Sequence, residues 1–267
     1  MNVITRRQDP AIKTLCAIRD DRAASAIFIE GPRLLREALQ ASLPLQTLVI
    51  CQSRCSKALA EDVQLVEAAR RRAKQTLWVN ESVFRLLSDV EEPQGIAAIC
   101  GKPQWTWADV IRRKPALVLI LDRLQNPGNM ASILRTAEAS GAAGIITTKE
   151  TAHLFSPKAL RGAMGSAFRL PVLEHQPAED IVRELSASGY GLIETASGKQ
   201  TVYTDLDWSK PWAIVLGQEG GGVSSAWTGH LQKSISIPMS PPVDSLNVAA
   251  AAAILLYESS RNLKAPK

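Results

Sequence analysis

Short apolar runs alternate with stretches of helical spacing along most of the chain. In the first hundred residues Ile27-Phe28-Ile29, Leu45–Cys51 and Thr76–Val79 have strand character, while Arg33–Ala41, Ala58–Lys74 and Glu81–Leu87 repeat at helical intervals. Glu30-Gly31-Pro32 marks a turn, and Pro32 suits the first turn of the helix behind it. Alternation of this kind predicts a small α/β/α sandwich. Downstream, strands are predicted at Leu117–Leu121, Gly144–Thr147, Leu170–Leu173, Gly191–Thr195, Ala213–Leu216 and Ser234–Ile237. Helices are predicted between them at Ala131–Ser140, Pro157–Gly165 and Ala178–Ala187, with another opening near Ser224 and a last one from about Leu246. These are βα units of a parallel sheet, with Gly141 and Gly189 as helix stops. Gly101–Lys114 breaks the pattern with Pro103, two tryptophans and a basic cluster. It reads as a linker and divides the chain into residues 1–103, a linker over 104–116, and residues 117–267.

Three polar islands interrupt the second half, each just after an apolar run of strand character. They are Asn126-Pro127-Gly128-Asn129 running on to Arg135, the segment Gly217-Gln218-Glu219-Gly220-Gly221-Gly222, and Ile237-Pro238-Met239 leading to Ser245-Leu246-Asn247. Open α/β sheets bind their ligands at the carboxyl ends of strands, so the islands point to one site assembled from distant loops. The glycine cluster matches neither GxxxxGK[ST] nor GxGxxG, which disfavours P-loop and dinucleotide sites. It can be a tight turn, but a turn alone leaves Glu219 unexplained. Arg135 can be an ordinary exposed charge on a helix. Its six-residue separation from Asn129 is read as nearly two turns along roughly one side. Ser245 and Asn247 can be caps for the alanine-rich helix that follows.

Composition narrows the field only slightly. The chain has 267 residues and 46% hydrophobic content, enough for two domains or one large α/β unit. A net charge of +5, spread over both halves, leans toward an anionic partner such as nucleic acid. Met1–Pro10 is polar with no apolar stretch behind it, and Val248–Leu256 is too short to span a bilayer, so a cytoplasmic protein without a membrane association is expected. Cys16, Cys51, Cys55 and Cys100 lack paired metal spacing and read as reduced thiols. His153, His175 and His230 are scattered in sequence, and no metal centre is expected.

The three islands, taken in order, carry a resemblance. The stretches LDRLQNPGNMASILRTAEASGA, IVLGQEGGGVS and IPMSPPVDSLNVAAAAAILLYE resemble the three signature motifs of the SpoU (TrmH-type) branch of the SPOUT RNA methyltransferases, and together they cover most of residues 117–258. SPKALRGAMGSAFRLPV is similar to the family as well. FIEGPRLLREAL and EEPQGIAA resemble the L30e-like RNA-binding domain that many rRNA-modifying members carry.

The resemblance implies an α/β catalytic domain with a deep trefoil knot and a small N-terminal α/β domain. It implies S-adenosylmethionine as methyl donor, held by Thr195, Ala196, Gly217, Gln218, Glu219, Gly220, Ile237, Pro238, Met239 and Leu246. The methyl acceptor is a ribose 2′-hydroxyl in RNA. Arg135 is then the central catalytic residue, with Asn129, Glu219, Ser245 and Asn247 around it. Arg33, Arg36 and Arg161 are candidate RNA contacts. A homodimer through the catalytic domain is implied, which suits the small and apolar residues Ala249, Ala253 and Leu256 of the last helix. The N-terminal domain favours rRNA as substrate over tRNA, since several tRNA-acting members use short extensions instead. A non-catalytic RNA-binding or assembly factor that keeps the fold is the remaining alternative.

Overall fold

The computed structural model describes the chain apart from residues 1–2, 21–24, 56–59, 114–115, 197, 199–200, 219 and 265–267. It forms two compact units: Met1–Gln104 together with Phe155–Phe168, and Trp105–Leu154 together with Arg169–Lys267.

The first unit contains β1 (Val3–Ile4), α1 (Pro10–Asp20), β2 (Ala26–Glu30), α2 (Pro32–Gln40), β3 (Leu45–Cys51), α3 (Gln52–Cys55), α4 (Ala60–Arg72), β4 (Gln75–Val79), α5 (Glu81–Leu87) and β5 (Ile96–Gly101). Its sheet runs β1-β4-β3-β5-β2 and is mixed: β3, β4 and β1 are parallel, whereas β5 is antiparallel to both β2 and β3. The alternation pattern foresees neither α1 nor β5. One face of the sheet packs Phe28, Val49, Ala97 and Ile99 against Ile12 and Leu15 of α1 and Phe84 of α5. Cys16, Cys51 and Cys100 are free thiols, and burial pushes the Cys100 thiol up to about 12.

Residues 155–168, taken from the middle of the catalytic half of the sequence, belong to this first unit. They hold the helix Pro157–Ala163 and a 3₁₀ turn at Ser166–Phe168. Gly165, at φ 86°, is the close-packing point: a Cβ there would lie 2.6–2.8 Å from the Glu37 side chain of α2.

The second unit opens with a helix, Trp107–Ile111, inside the segment read as a linker. The Asp109 carboxylate accepts from the Thr106 N–H at 2.8 Å and O–H at 2.7 Å, which fixes the helix start. Val110 is fully buried, and Trp105, Trp107 and Ala116 pack against the core, so this segment is structural rather than a tether.

Continuing the chain-order numbering, with Trp107–Ile111 as α6 and Pro157–Ala163 as α8, the other elements are β6 (Val118–Leu121), α7 (Pro127–Ser140), β7 (Gly144–Thr148), β8 (Val172–Gln176), α9 (Ala178–Ala187), β9 (Gly191–Thr195), β10 (Trp212–Leu216), β11 (Lys233–Ile235) and α10 (Val248–Lys264). All six strands are parallel, in the order β11-β9-β10-β6-β7-β8. From β6 the chain lays β7 and β8 on one side, and later fills the other side with β9, β10 and β11. The order therefore reverses between β6 and β10.

Several predicted elements shift. α7 begins at Pro127, four residues before the predicted start, because Asn126 Oδ1 accepts from the Gly128 N–H at 2.8 Å and Pro127 fits the first turn. The helix expected near Ser224 is only a 3₁₀ turn, Ser225–Trp227. Trp227 is fully buried there, and Gly229 at φ 82° turns the chain away. β8 starts at Val172, two residues late, behind Pro171.

Candidate active site

Because the strands are parallel, β6, β9, β10 and β11 all end at one edge of the sheet, and the three polar islands follow three of those ends. There the second and third islands, with the end of β9, enclose a cavity of about 500 Å³, and the first island contributes none of its walls. Of the predicted donor residues, Thr195, Ala196, Gly217, Gln218, Gly220, Ile237, Met239 and Leu246 line it. Pro238 is not among the wall residues, and Glu219 lies outside the described residues. Sequence reasoning missed other wall residues, among them the carboxylates of Glu194 and Asp244 and the apolar Leu216, Val223 and Val248.

The glycine island is folded back on itself. The Gln218 N–H donates to Gly222 O, and the Gly222 N–H to Gln218 O, both at 3.0 Å. A Cβ on Gly217 would sit 2.1 Å from the Gly222 carbonyl carbon, so only glycine fits at this point of the cavity wall.

A buried acid holds the loop in place. Asp122, the first residue beyond β6, is 2% exposed. Its Oδ2 accepts from the Ser224 N–H at 2.7 Å and its Oδ1 from the Thr148 hydroxyl at 3.0 Å. The neighbouring Arg123 has a φ of 59°; its N–H donates to Thr148 and Thr151, and its carbonyl accepts from Gln218 Nε2 at 3.0 Å. One carboxylate thus ties the end of β6 to the end of β7 and to the far side of the glycine island. A single Asp after an apolar run gives no hint of that.

The first and third islands meet through two asparagines. Asn247 Nδ2 donates to Asn129 Oδ1 at 3.1 Å, while Asn247 Oδ1 accepts from the Ala249 N–H at 2.9 Å and caps α10. Capping and site-building are therefore the same residue's two ends. Ser245 lines the cavity and donates toward Asp244 Oδ1 at 3.4 Å; it does not cap. Arg135 is exposed on α7, and among the described residues no hydrogen bond or ion pair engages its guanidinium. With both residues on the helix, Arg135 and Asn129 are about 120° apart around it at 3.6 residues per turn, not on one side.

Arg33 and Arg36 are exposed, one turn apart on α2. Arg161 differs. Its Nη1 is buried without a hydrogen-bond partner among the described residues, in electrostatic reach of Glu30, whose carboxyl burial pushes above the usual range. The histidines also depart from expectation: His153 and His175 are brought together, with His153 Nδ1 and His175 Nε2 2.9 Å apart. Among the described residues no helix is long and apolar enough to cross a membrane.

A cavity at the carboxyl ends of β9 and β10, walled by the second and third islands with the first tied to the third through Asn129 and Asn247, defines a ligand-binding α/β domain of the methyltransferase type that the motifs resemble. The profile of the SpoU rRNA Methylase family matches residues 116–257, and that of the MRM3-like substrate binding domain matches residues 10–98. The 23S rRNA (guanosine(2553)-2′-O)-methyltransferase RlmP of Bacillus subtilis is 32% identical over 245 residues, 92% of each chain. The SpoU methyltransferase AviRb of Streptomyces viridochromogenes, solved in complex with AdoMet, superposes with a TM-score of 0.86 at 27% identity, covering 97% of this chain and 100% of that one. An AdoMet-bound rRNA methyltransferase from Sinorhizobium meliloti gives a TM-score of 0.83 at 28% identity over 99% of both chains. The chain belongs to the SpoU rRNA methylase family.

Proposed function

We propose that this protein transfers a methyl group from S-adenosylmethionine to a ribose 2′-hydroxyl of ribosomal RNA. The observation that carries the reading is the cavity itself, walled by the second and third islands at the ends of β9 and β10, with the first island joined to the third through the Asn129–Asn247 hydrogen bond. Its volume lies within the roughly 300–1,000 Å³ usual for small-molecule sites. Its walls also suit the donor: apolar side chains beside the loop at Gly217 and Gln218, with the carboxylates of Glu194 and Asp244 in the wall to attract a cationic ligand. When bound, S-adenosylmethionine supplies an electrophilic methyl group on a sulfonium. Gly217, Gln218, Ile237 and Leu246 would hold it, and the Asn129–Asn247 pair keeps the first and third islands in register beside it.

Arg135 acts on the acceptor. A guanidinium stays protonated, so its role is to stabilise the developing alkoxide and grip a neighbouring phosphate while the proton leaves to another group or to water. The family's trefoil knot is part of this reading, as are a cytoplasmic location and an RNA-holding role for the first unit. The choice of rRNA is supported by relatives named as rRNA methyltransferases along nearly their whole length and by the substrate-binding profile over residues 10–98.

A homodimer completes the reading. Ala249, Ala253 and Tyr257 lie at i, i+4 and i+8 on α10, and Tyr257 is 56% exposed. Leu256, expected on the same surface, is instead 1% exposed inside its own unit. Light scattering at micromolar concentration should give twice the chain mass, and a monomer mass would defeat the dimer.

The enzymatic reading is tested with rRNA and tRNA from cells lacking the gene, incubated with the protein and methyl-labelled S-adenosylmethionine. Label should enter one rRNA nucleotide as a 2′-O-methyl group. Label confined to tRNA would replace the substrate, and donor binding with no transfer to either RNA would favour a scaffold.

A further inference from the structure

At the β7/β8 side of the six-stranded sheet, two histidines and a glutamate form a cluster that methyl transfer does not use. All three belong to the second unit. His153 comes from the loop after β7, and Glu174 and His175 are consecutive on β8. Consecutive strand residues ordinarily face opposite sides of a sheet. Here the β7/β8 register shifts between Ile146 and Thr148, and His175 adopts a φ of 57°. The His175 N–H donates to Thr147 Oγ1 at 2.9 Å and holds the kink. As a result one donor atom from each of His153, Glu174 and His175 lies within 4.8 Å of the others. His153 Nδ1 is 2.9 Å from His175 Nε2 and 3.8 Å from Glu174 Oε1.

The surroundings fit a cation better than a structural ring pair. His153 and His175 are each half-buried and turn Nδ1 and Nε2 toward one another beside the Glu174 carboxylate. The Glu174 side chain is 6% exposed, and its Oε1 accepts from the Leu154 N–H at 2.7 Å, which orients the carboxylate toward the rings. The His153 side chain, 23% exposed, leaves a route from solvent.

We propose that His153, Glu174 and His175 bind a divalent transition-metal ion of the zinc class, with a fourth position left to water. Two imidazoles and one carboxylate are donors that Zn²⁺ takes at about 2.0–2.2 Å, and tetrahedral bonds of that length set ligand atoms roughly 3.3–3.5 Å apart. The observed separations of 2.9 and 3.8 Å bracket this spacing. Mg²⁺ and Ca²⁺ call for six or more oxygens, which this donor set does not offer. The ion would tie the loop after β7 to β8 and take no part in methyl transfer.

The test is calorimetric titration of the full chain, first treated with chelator, with Zn²⁺. One ion should bind per chain, and Co²⁺ in its place should show the visible absorption of a four-coordinate site. Glu174→Gln keeps an acceptor for the Leu154 N–H and His175→Asn keeps a residue that tolerates positive φ. Each should weaken binding by at least about tenfold, given that even outer-shell changes cost 10–100-fold. His230→Ala should change nothing. Absence of uptake by the parent chain, or uptake of equal strength in a His153→Ala, Glu174→Gln double variant, would overturn the proposal.

Discussion

Arg135 shows how little a single residue announces. On α7 it is one exposed charge, and only the order of the three motifs marks it as the proposed centre of the reaction. Arg135→Ala should lower methyl transfer by at least about a hundredfold, the scale of losing one oriented charge-stabilising donor, with S-adenosylmethionine affinity unchanged. Gly217→Ala should instead remove donor binding, since its Cβ has no room beside Gly222. Turnover and donor affinity measured on both variants separate the roles, and near-normal turnover of Arg135→Ala would end its assignment. The cavity proposed for the donor was legible because two of the polar islands, set against apolar strands, form its walls. Asp122 was not, because its meaning lies in Ser224, 102 residues away. Glu30 carries a different consequence. Burial raises its folded pKa, so the carboxyl supports the fold most fully below its ordinary value of about 4.3, and that support is lost as pH rises through the folded value. Glu30→Gln stays neutral and keeps an acceptor for the Ser88 hydroxyl. Its melting temperature should exceed the parent's at pH 7, with the gain fading below about pH 4. A lower melting temperature at pH 7 would mean that attraction to Arg161 outweighs burial.

At the scale of elements, Asn247 joins two jobs that can be separated by substitution. Asn247→Ala removes the α10 cap and the link to Asn129, and should cost about 1 kcal/mol of stability together with most activity. Asn247→Asp keeps an acceptor for the Ala249 N–H but loses the Nδ2 donor. It should recover the melting temperature and not the transfer rate; recovery of both would reduce Asn247 to a cap. The elements most legible in sequence are those with a punctuating residue at their limits. α5 follows the Asn80 cap, whose Oδ1 accepts from the Val83 N–H at 3.0 Å, and α9 lies between Pro177 and Gly189; both fall where the pattern puts them. β5 escaped because Ile96–Gly101 is buried on both faces and shows no alternation, its two alanines blurring even the apolar run. α1 escaped because only Ile12 and Leu15 are buried, too few to mark a stripe.

For the whole molecule, the division into units decides how RNA binding can be tested. Deleting residues 1–103 is the direct route, but it would strip the helix Pro157–Ala163 and Gly165 of the unit that they pack in, including the Glu37 side chain. Loss of RNA binding by such a fragment would then report damage as readily as a missing contact. Charge removal on an exposed face avoids this. Arg33 and Arg36 sit one turn apart on α2 with their side chains in solvent, whereas Arg161 turns a guanidinium nitrogen inward and is the poorer candidate. If the first unit grips phosphates, Arg33→Ala, Arg36→Ala should weaken RNA binding and reduce the slope of log affinity against log salt by about 1.4–1.8, since each neutralised phosphate contributes about 0.7–0.9. S-adenosylmethionine affinity and melting temperature should not move, because neither side chain packs in a core. An unchanged salt slope with intact affinity would take RNA binding away from this face and leave the first unit's role to other surfaces.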